Sequence, residues 1–196
     1  MTLHGVCPRL RAGVFAAEPR WLPQRLLTKN TIPEEVLGWL LDPQSLTRRV
    51  QALCRACFRV EVVSQQRERP MFNERRLLEM GEKHLAVVRQ VRLWCGNQPW
   101  VFARTVIPNQ TLTGPLRRLA HLGDKPLGAM LFASPSLRRF EVQVARLLPQ
   151  HNLFAMATDN LNSKPGEIWG RRSVFHLHGR PLLVSEIFLP QLLQQH

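Results

Sequence analysis

Tyrosine is absent from this 196-residue chain and acidic residues are scarce: 14 Asp and Glu stand against 27 Lys and Arg, a formal net charge of +13. Without tyrosine, and with the other aromatics thinly spread, the chain lacks the interleaved rings on which single-stranded nucleic acid stacks. The positive excess favours anionic partners. It comes, however, as pairs (Arg48-Arg49, Arg75-Arg76, Arg117-Arg118, Arg138-Arg139, Arg171-Arg172) and never as a basic tail, a pattern expected of solvated surface. No apolar run reaches the ~20 residues of a membrane-spanning helix, and the N-terminus has no hydrophobic core of a secretion signal. A soluble, cytoplasmic protein without stable membrane insertion is expected.

Cysteine is limited to four residues. Cys54 and Cys57 form a lone C-x-x-C, the spacing of a redox pair or of half a zinc site; with no second pair and no His-x-x-x-His, the ligand set of a zinc site is incomplete. On helical spacing with Val50 and Leu53 these sulfurs read as small core residues. His176 and His178 share a strand face with no third ligand, and are expected simply to flank the turn at Gly179. The stretch before Glu18 is rich in arginine and free of acids, as a transit peptide is, but Pro8, Pro19 and Pro23 interrupt any long amphipathic helix. Residues 1–30 are expected to form a loosely ordered extension, 31–190 a single domain and 191–196 a tail.

What the chain does contain is charge where a strand has no wet face. From Pro181 to Pro190, alternation puts Leu182, Val184, Glu186 and Phe188 on one side and Leu183, Ser185, Ile187 and Leu189 on the other. An ionised carboxylate removed from water costs several kcal/mol unless a cation or a ligand satisfies it. Arg89 lies likewise on the row of Leu85, Val87, Val91 and Leu93, while Gln90 and Arg92 on the opposite face suit solvent. Arg104 lies on the row of Trp100, Phe102 and Val106. Three inward charges permit two readings: a structural ion pair with one arginine snorkelling out of the core, or a buried pocket for an anion.

A helical hairpin is expected from Thr31 to Cys57. Thr31 is the N-cap, Pro33 lies in the first turn, Glu34 and Glu35 stand at the positive end of the dipole, and Asp42-Pro43 breaks the helix. Ser64 to Gly81 reads as an edge strand or loop and then a short helical turn. The strands of Arg89 and Arg104 join through Gly96-Asn97-Gln98-Pro99. A second helical hairpin carries Leu116, Leu119 and Leu122, then Leu127, Met130 and Leu131 after Gly123. Ser136 to Leu148 fits strand or helix, Asn160 to Gly166 is a loop, and Arg172 to His178 pairs with Leu182 to Leu189. Hairpin strands with inserted helices indicate an α+β domain on an antiparallel sheet.

Arg104-Thr-Val-Ile-Pro108, Thr111-Leu-Thr-Gly-Pro115, Pro126-Leu-Gly128, Trp169-Gly-Arg-Arg-Ser173 and Gly179 to Pro190, in this order, resemble the signature segments of bacterial chorismate pyruvate-lyases. The resemblance spans most of Ile32 to Pro190. It implies conversion of chorismate to 4-hydroxybenzoate and pyruvate, the first step of ubiquinone biosynthesis, with no metal or cofactor. It also implies a roughly six-stranded antiparallel sheet whose buried ligand site lies under two helical-hairpin flaps. By position, Arg89 and the backbone N–H groups of Leu46 and Leu127 correspond to the holders of the ring carboxylate, and Glu186 to the glutamate facing the ring hydroxyl. The stretch from Arg139 to Ile168 is longer than the family leads one to expect.

Chorismate carries two carboxylates, so a closed pocket needs about two positive charges or their equivalent in N–H dipoles. Arg104 is therefore expected at the enolpyruvyl carboxylate, with the chain acting as a monomer on a small molecule and not on nucleic acid. Two rivals stand beside this reading. A non-catalytic small-acid sensor of the same fold is one, although the stretch before Ile32 is short for a DNA-reading domain. A recognition helix beginning at Gln44, Ser45, Thr47, Arg48 and Arg49 is the other, and the apolar counterpart from Pro126 to Ala133 disfavours it.

Overall fold

Segments rich in Val, Ile, Phe and Trp, bounded by turns, become strands; the computed structural model describes residues 17–28 and 32–195. Its strands are β1 (Leu22–Pro23), β2 (Phe58–Glu68), β3 (Ala86–Cys95), β4 (Gln98–Pro108), β5 (Arg138–Arg139), β6 (Gln143–Leu147), β7 (Ile168–Leu177) and β8 (Arg180–Phe188). They form one antiparallel sheet in the order β1-β6-β7-β8-β4-β3-β2, with β5 on β7. β1 and β5 have two residues each, so six longer strands carry the sheet. The β7–β8 turn places His178 and Gly179 at φ 51° and 74°, the two positive values that a tight two-residue hairpin turn demands.

The helices divide between the faces. On one face lie α1 (Glu34–Leu40), α2 (Leu46–Leu53), a 3-10 segment (Gly114–His121) and α4 (Leu127–Phe132). They pack Val36, Trp39, Leu40 and Val50 against Leu93, Val101 and Phe188 at one end of the sheet, and Leu116, Leu119 and Leu131 against Val87, Phe175 and Leu182 at the other. The far face is covered by α3 (Phe72–Leu77) and α5 (Asn152–Thr158), the latter burying Leu153 and Phe154 on Phe102, Leu147 and Ile187. Each such side chain contributes about 1.5–3 kcal/mol on full burial. The short α6 (Pro190–Leu193) seats Leu192 in the core beside α1, so the expected tail is partly built into the domain. The N-cap expected at Thr31 lies outside the described residues, as does most of the stretch 1–30. What is described of that stretch, from Ala17 to Thr28, is tied down: β1 pairs with β6, and Glu18 accepts from the N–H groups of Phe72 and Asn73. Ser136 to Leu148 resolves into β5 and β6.

Several sequence expectations fail here for identifiable reasons. Cys54 is disulfide-bonded to Cys95, joining the end of α2 to the end of β3, and Cys57 is exposed. Arg117 and Arg118 are exposed as expected, but Arg171 and Arg172 are buried on opposite faces of β7. Arg92, expected in solvent, is buried and ion-paired with Asp159. Arg104 does face inward, but on the far side of the sheet from Arg89, because its backbone pairs with Gln90 while Arg89 pairs with Thr105. There Nε of Arg104 donates to Glu74 Oε1 at 2.8 Å, and Glu68 lies 3.2 Å from Nη2. Burial opposes the charge on Arg104, but the two carboxylates outweigh it and hold the guanidinium above its ordinary range. Arg104→Met strands buried Glu74 without its closest cation and is expected to cost about 3–5 kcal/mol, read as a lower urea midpoint; an unchanged midpoint would show the pair to be neutral for stability.

Candidate functional site

Beneath the first turns of α2 and α4, on the face opposite Arg104, lies a cavity of ≈ 60 Å³. Its floor comes from alternate residues of the sheet: Arg89 and Val91 of β3, Ala103 and Thr105 of β4, Val184 and Glu186 of β8. Its roof is Ser45, Leu46 and Thr47 at the start of α2 and Pro126 to Gly128 at the start of α4. A Cβ at Gly128 would lie 3.2 Å from Thr47 Oγ1 and 3.3 Å from Ser45 Oγ, closer than ordinary van der Waals contact, so the two helix starts abut over the cavity.

Arg89 is 2 % exposed and makes no ion pair with any described carboxylate. Its Nη1 donates to Gln65 Oε1 at 2.9 Å and its Nη2 to the carbonyl of Lys125 at 3.4 Å. The Gln65 amide, from β2, in turn donates to the carbonyl of Ala120, fixing the arginine to the roof segment. Burial holds the Arg89 guanidinium below its ordinary range, and the more distant Asp124 offsets only part of that. Arg104, neutralised, is shifted the other way. The contrast identifies Arg89 as a buried cation whose counter-charge the described chain does not supply.

Leu46 and Leu127 are the first residues of their helices, where backbone N–H groups have no partner within the helix. Both line the cavity that Arg89 lines. Two helix starts and one guanidinium thus surround a space suited to a carboxylate.

Glu186 lines the same cavity and is bound to a cation of its own. Arg171, 1 % exposed and directly across the β7–β8 pair, donates through Nε to Glu186 Oε2 at 2.6 Å. Its Nη1 donates to the carbonyls of Trp39, at the end of α1, and Asp42, in the α1–α2 connection. Arg139 reaches the same connection, donating to Pro43 O at 3.2 Å and, through Nε, to Ser173 Oγ at 3.0 Å. Burial and the adjacent Arg171 charge lower the Arg139 guanidinium, while Glu186 and Asp42 oppose them. Burial pushes the Asp42 carboxyl up, but the Gln44 N–H and the charges of Arg49 and Arg171 bring it below its ordinary range. The α1–α2 connection therefore hangs from the two arginines nearest Glu186.

Of the five residues singled out in the sequence, Arg89, Glu186, Leu46 and Leu127 converge on one cavity and Arg104 does not reach it. Gln65, Arg139 and Arg171 were missed. The signal for Arg171 was present: counting outward from the His178-Gly179 turn pairs Leu177 with Arg180 and, six residues further, Arg171 with Glu186. A cation at one end, a carboxylate at the other and walls of Val91, Leu131, Phe132 and Phe175 suit a flat ring bearing one acidic and one hydroxylated end.

Residues 18–196 match a family model described as Chorismate lyase. A protein of Methylococcus capsulatus named Probable chorismate pyruvate-lyase is 43 % identical over 156 residues, 80 % of this chain and 95 % of that one. A protein of Nitrosospira multiformis with the same name is 38 % identical over 165 residues, 84 % of this chain and 92 % of its own. Among solved structures, the effector domain of PhnF from Mycobacterium smegmatis superposes with a TM-score of 0.55 at 11 % identity, covering 75 % of this chain and 88 % of that one, a likeness of fold alone.

Proposed function

The chain belongs to the chorismate lyase family, and from that membership we propose that its cavity holds chorismate between Arg89 and Glu186. The enzyme removes the enolpyruvyl group of chorismate as pyruvate and leaves 4-hydroxybenzoate, in the ubiquinone pathway. The observation that carries the site assignment is the un-neutralised, buried Arg89 at a wall shared with two helix starts. In this reading the guanidinium and the N–H groups of Leu46 and Leu127 bind the ring carboxylate, and Glu186 faces the 4-hydroxyl.

The reaction breaks the bond between ring C3 and the ether oxygen, while C4 loses its hydrogen as a proton; the enolpyruvate oxygen leaves with the bonding pair and its carbon skeleton takes up a proton to become pyruvate. Aromatisation drives the step, so the protein has mainly to hold a reactive conformer and stabilise charge on the departing oxygen. Glu186, with Oε2 bound to Arg171, uses its other oxygen to orient the 4-hydroxyl and to pass the C4 proton towards the enolate. With Arg104 engaged on the far face, Arg171 and Arg139 are the cations nearest this end.

The two roofing hairpins act as flaps over the cavity, and the protein works as a cytoplasmic monomer, on a small molecule and not on nucleic acid, with no cofactor. No helix among the described residues is long and apolar enough to cross a membrane. Incubation with chorismate followed by chromatography tests the reading: 4-hydroxybenzoate and pyruvate should appear in equal amounts, whereas binding without pyruvate would leave a sensor of the same fold. A product clamped by its carboxylate under two flaps is also expected to inhibit and to leave slowly, with opening limiting turnover. Stopped-flow release faster than steady-state turnover would rule that out.

A further inference from the structure

We infer that the Ser45 hydroxyl is a further substrate-binding group, donating its proton to the carboxylate that Arg89 holds. The inference rests on that placement of the ring carboxylate. Ser45 occupies the N-cap of α2, and its carbonyl accepts from the Arg49 N–H at 3.1 Å, so the helix begins there. A serine in this position ordinarily turns its oxygen back onto the N–H groups of the first turn. Ser45 does not: no side-chain capping bond is made, and its Oγ is buried with no hydrogen-bond partner among the described residues.

The residue is 4 % exposed and forms part of the cavity wall. Its Oγ is 3.3 Å from the point that a Cβ on Gly128 would occupy, which puts it between the starts of α2 and α4, beside the Leu46 and Leu127 amides. A buried hydroxyl without a partner is unfavourable, and a fold that keeps one on the wall of an anion pocket has it free for the anion. The proton can point into the cavity because no N–H of the helix fixes the orientation of the oxygen. Three donor types, guanidinium, amide and hydroxyl, would then surround a carboxylate whose two oxygens offer about four acceptor sites.

Calorimetric binding of 4-hydroxybenzoate and of 4-methylphenol, which has a methyl group in place of the carboxylate, to the wild-type protein, Ser45→Ala and Arg89→Ala tests this. A hydrogen bond to a charged group predicts that Ser45→Ala weakens 4-hydroxybenzoate ~10- to 30-fold. Affinity for 4-methylphenol should be unchanged and the unfolding midpoint equal or higher. The Michaelis constant for chorismate should rise by a similar factor, with a smaller change in kcat. Ser45→Gly, which retains a good N-cap, gives the same comparison should alanine disturb the helix start. If Arg89→Ala weakens 4-hydroxybenzoate and the Ser45 variants do not, the inference about Ser45 is overturned and the carboxylate site stands. If neither variant weakens it, the carboxylate site itself fails. Equal losses for both ligands would reduce Ser45 to a structural part of the flap.

Discussion

Arg89→Ala is expected to raise the Michaelis constant for chorismate and the dissociation constant of 4-hydroxybenzoate by ~100-fold or more, the loss that follows when one partner of a buried charge pair is truncated. The guanidinium is buried, carries no chain carboxylate and is held in place by Gln65 and the Lys125 carbonyl, so little of its charge is screened or already used. Loss of the charge without loss of volume has an opposite signature in the unliganded protein. Replacing an un-neutralised buried cation with an apolar side chain of similar volume removes a desolvation cost. Arg89→Met should therefore raise the unfolding temperature of the free protein by ~2–4 °C, equivalent to about 1 kcal/mol for a chain of this size. A more stable protein that no longer binds is the combined result expected, and unchanged binding constants would remove Arg89 from the site.

Glu186→Gln should act on the chemistry more than on binding. General acid–base participation is worth ~10²- to 10⁴-fold in rate, and kcat is expected to fall by that order while affinity for 4-hydroxybenzoate changes less than ~10-fold. Glutamine keeps an oxygen for Arg171 to bind, so the cross-strand partner is not left without an acceptor. It loses the capacity to take and return a proton. Turnover near that of the wild type would reduce Glu186 to a residue that orients the ring hydroxyl, and the elimination would then be driven by conformer selection and charge stabilisation alone.

Alternation along each strand was enough to find Arg89 and Glu186, because each stands among apolar neighbours on its own row. It could not say which rows of different strands share a face. Counting outward from the Cys95–Gln98 end of the β3–β4 hairpin without interruption would set Arg89 opposite Arg104, and both would enter one pocket. In the structure the register shifts between Leu93 and Trp94: Trp94 pairs with Pro99 but Leu93 with Val101, leaving Trp100 as an extra residue. One bulged residue exchanges the faces of everything beyond it, which is why Arg104 meets Glu74 instead of a ligand. The β7–β8 hairpin has no such shift, and there the count from the turn leads to Arg171. That pairing marks Arg171 as inward, but the burial of the next residue, Arg172, was illegible, because it depends on α3 closing over the opposite side. The disulfide partner of Cys54 was hidden for a related reason: Cys95 is distant in sequence and comes near only once β3 is paired and α2 has folded back on it.

The placement of these arginines also bears on how the sheet assembles. In β7, Arg171 meets Glu186 on one face, while Arg172 on the other donates to Gln143 and Asn73 and stacks 4.5 Å from the ring of Trp21. A nascent hairpin slipped by one position in one direction would set Gly170 opposite Glu186 and leave that carboxylate with no cation across the strand, and in the other direction would set Arg172 there and draw it away from Gln143 and Asn73. Hydrophobic residues on both sides of β7 and β8 would tolerate such a slip, since either face finds oil. The polar contacts do not: the Arg171–Glu186 ion pair and the amide bonds of Arg172 are satisfied together only in the native alignment.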